Sequence, residues 1–487
     1  MGGVEFACLV RCDDRQLYHS RPVGFCVEEL PDHRLLTFII MPILILPFRA
    51  ALAIVVLASI IAPRLCGKPD FTPREAVELT SRGGLPNFFA KLEKGGSVTI
   101  AYLGGSITAQ QGWRVQSRAW LQRQYPQAKI AEIHAAIGGT GSDLGVFRVE
   151  TDALAGKPDL LFVEFAVNDA GAQSEQIRKA MEGIVRKTWR LLPQTDICFV
   201  YTATAKDTPA LAEGKMKRSE SVMEEVADHY GIPSVHLALE VARMEKAGKL
   251  MMKSDDAPMT RVSGDELNAS AALATDAQGR IVFSKDGVHP YPETGHVLYT
   301  QALTRSLEAM KAAGSPGSHA ARAPLVDDNW EAARQMPLDQ GGVVAGPVVK
   351  LDAKTDAVAK AFANRMGALW KLEPGASLRF KFKGTKVSIY DLIGPDGALL
   401  EVTVDGKTRK QARFDGYCTY QRLSMLGIGD NMPDTVHEIE VTVSAEKPDK
   451  AGILFDRNKG DLEKFPAKYE PTNWYAGAIF IVGEIVK

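Results

Sequence analysis

The sequence predicts two folded parts: a parallel-sheet α/β domain with helices on both faces, and after it an antiparallel β-sandwich of jelly-roll type. Three observations predict this. Between residues 98 and 310, strand-length apolar runs alternate with stretches of helical periodicity, the pattern of a parallel sheet between helix layers. From residue 343 the texture changes to short strand-like runs separated by turn residues. Between the two lies an Ala-, Gly-, Ser- and Pro-bearing stretch, starting at residue 313, with the composition of a linker. The expected organisation is a leader over 1–67, the α/β domain over 68–312, a linker over 313–342 and the sandwich over 343–487.

Residues 68–95 read as an adapter, with Phe88-Phe89 on a short helix. Val98–Leu103 is a β-branched apolar strand that runs into Gly104-Gly105-Ser106. Helical spacing follows at Trp113, Trp120, Leu121 and Tyr125. Lys129–Ala135 is a second strand and ends at the glycine turn Gly138-Gly139. Asp159–Phe165 is almost wholly apolar, as expected of a strand buried on both faces. A helix over Ser174–Leu192, a strand over Ile197–Thr202, a helix over Lys215–Tyr230 and a strand over Ile232–Leu237 continue the alternation. Residues 245–284 have no strong pattern and read as a long loop or lid, and Tyr291–Met310 as the closing helix.

In the second part the predicted strands are Val343–Leu351, Ser377–Phe382, Lys386–Tyr390, Leu399–Val404, His437–Ser444 and Ala478–Val486. Gly384-Thr385, Pro395-Asp396-Gly397 and Asp405-Gly406 supply the expected turns, the last as the tip of a hairpin. Trp370, Tyr390, Tyr417, Tyr420, Trp474 and Tyr475 could stack on a ligand, but most aromatics of a sandwich belong to its core.

Two domains and a leader fit comfortably in 487 residues. A formal net charge of −1, with no basic cluster interleaved with aromatics, excludes an electrostatic case for nucleic acid. From Met41 the chain reads as an export signal: Arg49, an apolar run Ala50–Ala62, then small residues and Arg64. Met41 is therefore expected to be the true start, and the protein to be exported, periplasmic or extracellular. An uncleaved membrane anchor over Leu35–Ala62 is the alternative, and membrane contact is expected only through this leader. After a cut near Ala62, Cys66, Cys198 and Cys418 remain, at spacings that suggest neither a metal site nor a disulfide framework. No metal and no cofactor are expected.

Four polar blocks stand just after predicted strands or near the domain's end: Gly104-Gly105-Ser106-Ile107-Thr108, Ile137-Gly138-Gly139-Thr140-Gly141-Ser142, Ala166-Val167-Asn168-Asp169 and Asp286-Gly287-Val288-His289-Pro290. Open α/β sheets bind ligands beyond the carboxyl ends of their strands, so three of the blocks converge on one edge. A serine is a poor nucleophile without a base, and imidazole titrates near neutral pH. Asp286, three residues before His289, can fix its tautomer across a short turn. His134, His229, His236 and His296 have no such arrangement; His296 reads as helix surface and His134 as packed or capped. Asp169 could brace the loop that carries Asn168 or simply make a turn.

Taken together, in this order, the blocks resemble the SGNH (GDSL-type) hydrolase family over residues 96–312, and bacterial carbohydrate acetylesterases with an added β-sandwich in particular. Gly105 stands where that family usually has Asp. The resemblance implies a three-layer, flavodoxin-like fold, with Ser106 as nucleophile and Asp286 and His289 as its charge-orienting pair. It also implies an oxyanion hole from the Ser106 and Gly139 N–H groups and the Asn168 amide. The activity implied is a serine esterase that takes short acyl groups, acetyl above all, from acylated carbohydrate through an acyl-serine. A lipase, lysophospholipase or thioesterase of the same family, or a catalytically silent carbohydrate-binding surface protein, are the alternatives.

Overall fold

The computed structural model describes residues 70–254, 275–320 and 322–486. The expected leader, with Met41, and residues 255–274 of the expected loop lie outside that part. Arg74–Lys487 form one compact unit.

Its first half is a six-stranded sheet: β1 (Leu79–Thr80), β2 (Ser97–Gly104), β3 (Lys129–His134), β4 (Leu160–Glu164), β5 (Asp196–Tyr201) and β6 (Ser234–His236). The order is β1-β6-β5-β4-β2-β3, parallel throughout except that β1 runs antiparallel to β6. Without β1 this is the flavodoxin-like order, in which the chain starts near the middle, steps outward to β3, and returns past β2 to β4. The helices Ser142–Asp152, Ser174–Leu191 and Arg218–Tyr230 pack together as one layer, and Trp113–Gln124 with Gly295–Met310 as the other. Every residue of β4 and β5 is buried between them, which accounts for sequences that are apolar but for one acid each, Glu164 and Asp196. Trp113 is fully buried and meets Tyr102 and Phe162 edge-on. A two-residue parallel pair, β7 (Leu250–Met251) and β8 (Ile281–Val282), lies within the stretch 245–284 that was expected to be a loop.

One sequence expectation is reversed here. His296 was expected on the surface of the closing helix, but it is fully buried. Its ring fills the space beside Gly112 and accepts a hydrogen bond from the Trp113 N–H, so a polar side chain serves as helix-to-helix packing.

The second half is an antiparallel sheet folded over its own core. It comprises β9 (Ala333–Pro337), β10 (Val343–Ala345), β11 (Val348–Leu351), β12 (Leu369–Leu372), β13 (Ser377–Ile393), β14 (Leu399–Val404), β15 (Lys407–Ala412), β16 (Arg422–Gly429), β17 (Thr435–Val443) and β18 (Trp474–Val486). The long strand β13 organises it: along one edge it pairs first with β17 and then with β16, while β18 lies along the other. Leu378, Phe380, Phe382, Leu400, Val441, Ile479 and Ile481 meet in the core. The Asp405-Gly406 turn joins β14 to β15 as expected, with Val404 opposite Lys407. Within 313–342, read as a linker, Trp330 is buried and Ala333–Pro337 pairs with β18.

Gly384 departs from its expected role. It makes no turn; β13 runs straight through it, and the register with β18 shifts between Gly384 and Lys386. A side chain on Gly384 would stand 2.1 Å from the Val482 carbonyl, so glycine lets two backbones close at a bulge. Past the bulge, β13 and β18 are buried on both faces, because the α/β domain covers them. Phe147 of helix Ser142–Asp152 stacks on Phe480 at 4.7 Å, and Phe480 on Tyr390 at 5.1 Å.

Gly384→Val should destabilise the protein by about 2 kcal/mol or more, through clash and backbone strain at a site with no room to relax. Chemical denaturation of the variant against wild type checks this.

Candidate active site

The site lies where the sheet order reverses, between the carboxyl ends of β2 and β4. β2 delivers Ser106 directly: Gly104 ends the strand and Ser106 opens a short helix, Ser106–Ala109. As the first helical residue, Ser106 has an N–H without a partner inside the helix. The segment after β3 is tied to the end of β2 by hydrogen bonds from Ala135 N–H to the Tyr102 carbonyl and from Ile137 N–H to the Gly104 carbonyl. It brings Gly138 against Ser106; a side chain on Gly138 would lie 3.5 Å from the Ser106 Cβ. Gly139 follows with φ +73° and open space around it, a conformation that favours glycine and leaves its surroundings clear. β4 delivers Asn168. The Asn168 side chain crosses directly over Gly105, where a Cβ would stand 2.0 Å from Oδ1 and 3.4 Å from Nδ2.

The fourth block arrives from the far end of the domain. Gly287 N–H donates to Ser284 Oγ at 2.8 Å, and the Gly287 carbonyl accepts from Ala205 N–H at 2.7 Å, which pins the loop to the segment after β5. Asp286 Oδ1 accepts from the N–H groups of Val288 at 2.9 Å and His289 at 2.8 Å. Its Oδ2 accepts from His289 Nδ1 at 2.7 Å. With that proton on Nδ1, His289 Nε2 is the acceptor for the Ser106 hydroxyl at 2.9 Å. Burial works to raise the Asp286 carboxyl, but the bonds from the His289 ring, the His289 N–H and the Val288 N–H outweigh it and hold it at about 2. Asp286 therefore stays ionised at any ordinary pH and can stabilise a charged imidazolium. Thus Ser106, His289 and Asp286 form one hydrogen-bonded line, with Gly139 and Asn168 beside the serine. Such a set can carry out acyl transfer.

Two buried carboxyls support the site from beneath. Glu164, the last residue of β4, accepts from Thr108 Oγ1 at 2.8 Å and Thr202 Oγ1 at 2.9 Å, while its carbonyl accepts from Gly105 N–H at 3.3 Å. It thereby anchors both ends of the Ser106 turn to the central strand. Burial raises its pKa against the pull of the two hydroxyls. Asp169 braces the turn rather than merely capping its own: Oδ1 accepts from Ser142 N–H at 3.0 Å, joining the Asn168 and Gly139 loops. Arg114 donates from Nε to the Thr108 carbonyl at 3.1 Å, and His134 from Nε2 to the Ala109 carbonyl at 3.3 Å, so His134 is a packed, capping residue as expected. Glu164 and Gln110, which lies just past the helix, escaped the sequence reading. A buried acid inside the apolar run Leu160–Phe165 was the one visible signal.

Residues 102–293 match the GDSL-like Lipase/Acylhydrolase family. The matched stretch lies within the α/β domain and takes in Ser106, Gly139, Asn168, Asp286 and His289. The chain is accordingly a hydrolase of carboxylic esters. Among solved structures it is similar to a two-domain esterase (CEX) active on acetylated mannans, co-crystallised with mannopentaose. The identity is 21%, the TM-score 0.62, and the match covers 84% of this chain and 97% of that one. The likeness is one of fold, and it spans both domains. The acetylxylan esterase Axe2 from Geobacillus stearothermophilus matches over 43% of this chain and 94% of its own, with 17% identity and a TM-score of 0.32. No curated protein sequence matches the chain.

The Asp169 carboxyl is pushed up to about 7, chiefly by burial, against the hydrogen bond from Ser142. Its folded-state pKa thus lies above the unfolded one, so the folded state resists ionisation. Stability should fall as pH rises from about 4 towards 7, by a few kcal/mol at most for this group. Asp169→Asn keeps the acceptor for Ser142 and removes the charge, so its stability should not share that fall. Urea melts of both proteins at several pH values test this.

Proposed function

We propose that the protein is a serine esterase that removes short acyl groups, acetyl above all, from acylated carbohydrate. The observation that carries the mechanism is the unbroken line from Ser106 through His289 to Asp286, with bonds of 2.9 and 2.7 Å. In this reading Ser106 Oγ attacks the ester carbonyl as its proton passes to His289 Nε2. Asp286 keeps the imidazole in the right tautomer and stabilises the cation that results. The Ser106 and Gly139 N–H groups and the Asn168 amide hold the developing oxyanion. His289 then gives the proton to the departing sugar oxygen, which leaves as a hydroxyl, and an acyl-serine remains. A water activated by the same imidazole cleaves that ester and frees the acid.

The carbohydrate substrate draws its support from the second domain. The neighbour whose fold is shared across both domains acts on acetylated mannans and was crystallised with mannopentaose. Both parts of the present chain are packed into one unit. Export is proposed from the pattern Met41–Ala62.

Ser106→Ala should abolish ester hydrolysis and labelling by a fluorophosphonate. Asn168→Ala should lower kcat by about two to three orders of magnitude with the fold intact. Acetyl esters should outpace long-chain nitrophenyl esters, and acetate should be released from at least one acetylated polysaccharide. A preference for long chains would replace the proposed substrate by a lipid. Folded protein that no fluorophosphonate labels would replace the enzyme by a binding protein.

A further inference from the structure

The proposed reaction needs Ser106 and His289 held at one separation, although 183 residues divide them in the chain. A chain of polar groups outside the serine–histidine–aspartate line joins them. Gln110 follows the helix that Ser106 opens, and its N–H donates to the Ser106 carbonyl at 3.2 Å. Its side-chain Nε2 donates to the carbonyl of Pro290, the residue after the base, at 3.3 Å. Its Oε1 accepts from His296 Nε2 at 3.1 Å. His296 Nδ1 in turn accepts from the Trp113 N–H at 3.2 Å.

The directions of these bonds are forced. A backbone N–H can only donate, so His296 Nδ1 is an acceptor and the proton of the neutral ring stands on Nε2. That proton demands an acceptor and so fixes the oxygen of the Gln110 amide. The NH2 group is left facing the Pro290 carbonyl, which can only accept. Complete burial, with His289 and Arg114 adding smaller contributions of the same sign, lowers the His296 pKa to about 3. The ring therefore keeps one charge state and one tautomer across the range in which an esterase works.

We propose that Gln110 and His296 are positioning residues: Gln110 clamps the Ser106 helix to the His289 loop, and His296 sets which way the clamp faces. The inference rests on the reading of Ser106, His289 and Asp286 as the catalytic line. Neither residue touches a reacting atom. The competing role is plain packing, which needs the shape of a glutamine at 110, whereas a clamp needs one donor and one acceptor in fixed places.

Two substitutions at the half-buried Gln110 separate these roles. Gln110→Leu keeps much of the volume and loses both bonds. It should lower kcat for an acetyl ester by about 10- to 100-fold, the cost of a base held off its line, with KM changed by no more than about twofold. Gln110→Glu is the sharper test. Ionised, the new carboxyl can still accept from His296, but it sets a second oxygen against the Pro290 carbonyl and repels it. Protonated, it offers one acceptor and one donor, as the amide does. The ratio of Gln110→Glu to wild-type kcat should therefore rise as pH falls from about 8 towards 5, approaching the carboxyl's own range. Division by the wild-type value removes the pH dependence that the two enzymes share. A flat ratio overturns the clamp whatever Gln110→Leu does, and so does a Gln110→Leu enzyme within about twofold of wild type. Fluorophosphonate labelling of wild-type Ser106 keeps the two readings apart. Labelled wild type with a flat ratio defeats the clamp alone, and unlabelled wild type defeats the catalytic line and the clamp with it.

Discussion

The hydrogen bond from Ser106 to His289 is the constraint on which the rest of the structure turns. It closes a loop of 183 residues at a distance of 2.9 Å. Closure of a loop that long is entropically unfavourable, and no single contact in the site offsets it. The sheet does. β2 and β4 lie side by side in the buried centre, and the loop that carries His289 is pinned next to the end of β5. Each functional group therefore leaves a rigid strand, or a loop tied to one, within a residue or two of the point where it is needed. Mobile side chains carry little of the burden of placement, and Asp286 holds the one that matters most by taking three hydrogen bonds at once.

Beneath the site the chemistry is of a different kind. Glu164, Asp169 and His296 are ionisable groups in positions where charge is penalised, and burial shifts each of them towards its neutral form. All three act through fixed hydrogen bonds to the turns that bear Ser106, Asn168 and Gln110. Burial in this layer contributes orientation, since a neutral group with one tautomer or one bonded oxygen has little freedom to turn.

Much of the fold could be read from the sequence because its strands are of two legible kinds. β4 and β5 are apolar runs with a single acid at one end, and the first half of β13 alternates, so the pattern marks them. The strands that escaped are those whose sequence carries no such mark. β15 reads Lys-Thr-Arg-Lys-Gln-Ala, is largely exposed and is signalled only by the hairpin turn before it, and β9 gains its strand character from pairing with β18 across more than a hundred residues. Gly384 looked like a turn because a bulge and a turn ask for the same residue. The site divides in the same way. Asp286 and His289 are three apart, so their bond is local and spacing reveals it. Gln110 and His296 meet across 186 residues, and nothing near either one hints at the other.

The stacked rings of Phe147, Phe480 and Tyr390 have a bearing on how such a molecule can be taken apart. Phe147 lies on the helix that begins at Ser142, immediately after the turn holding Gly138 to Gly141. Removal of the sandwich would strip an aromatic face from that helix and leave it wet, directly under one wall of the cleft. A hydrolase core cut free at residue 312 would thus be a damaged molecule and not merely a smaller one. Anyone grafting this core to another module must bring a matching apolar surface along.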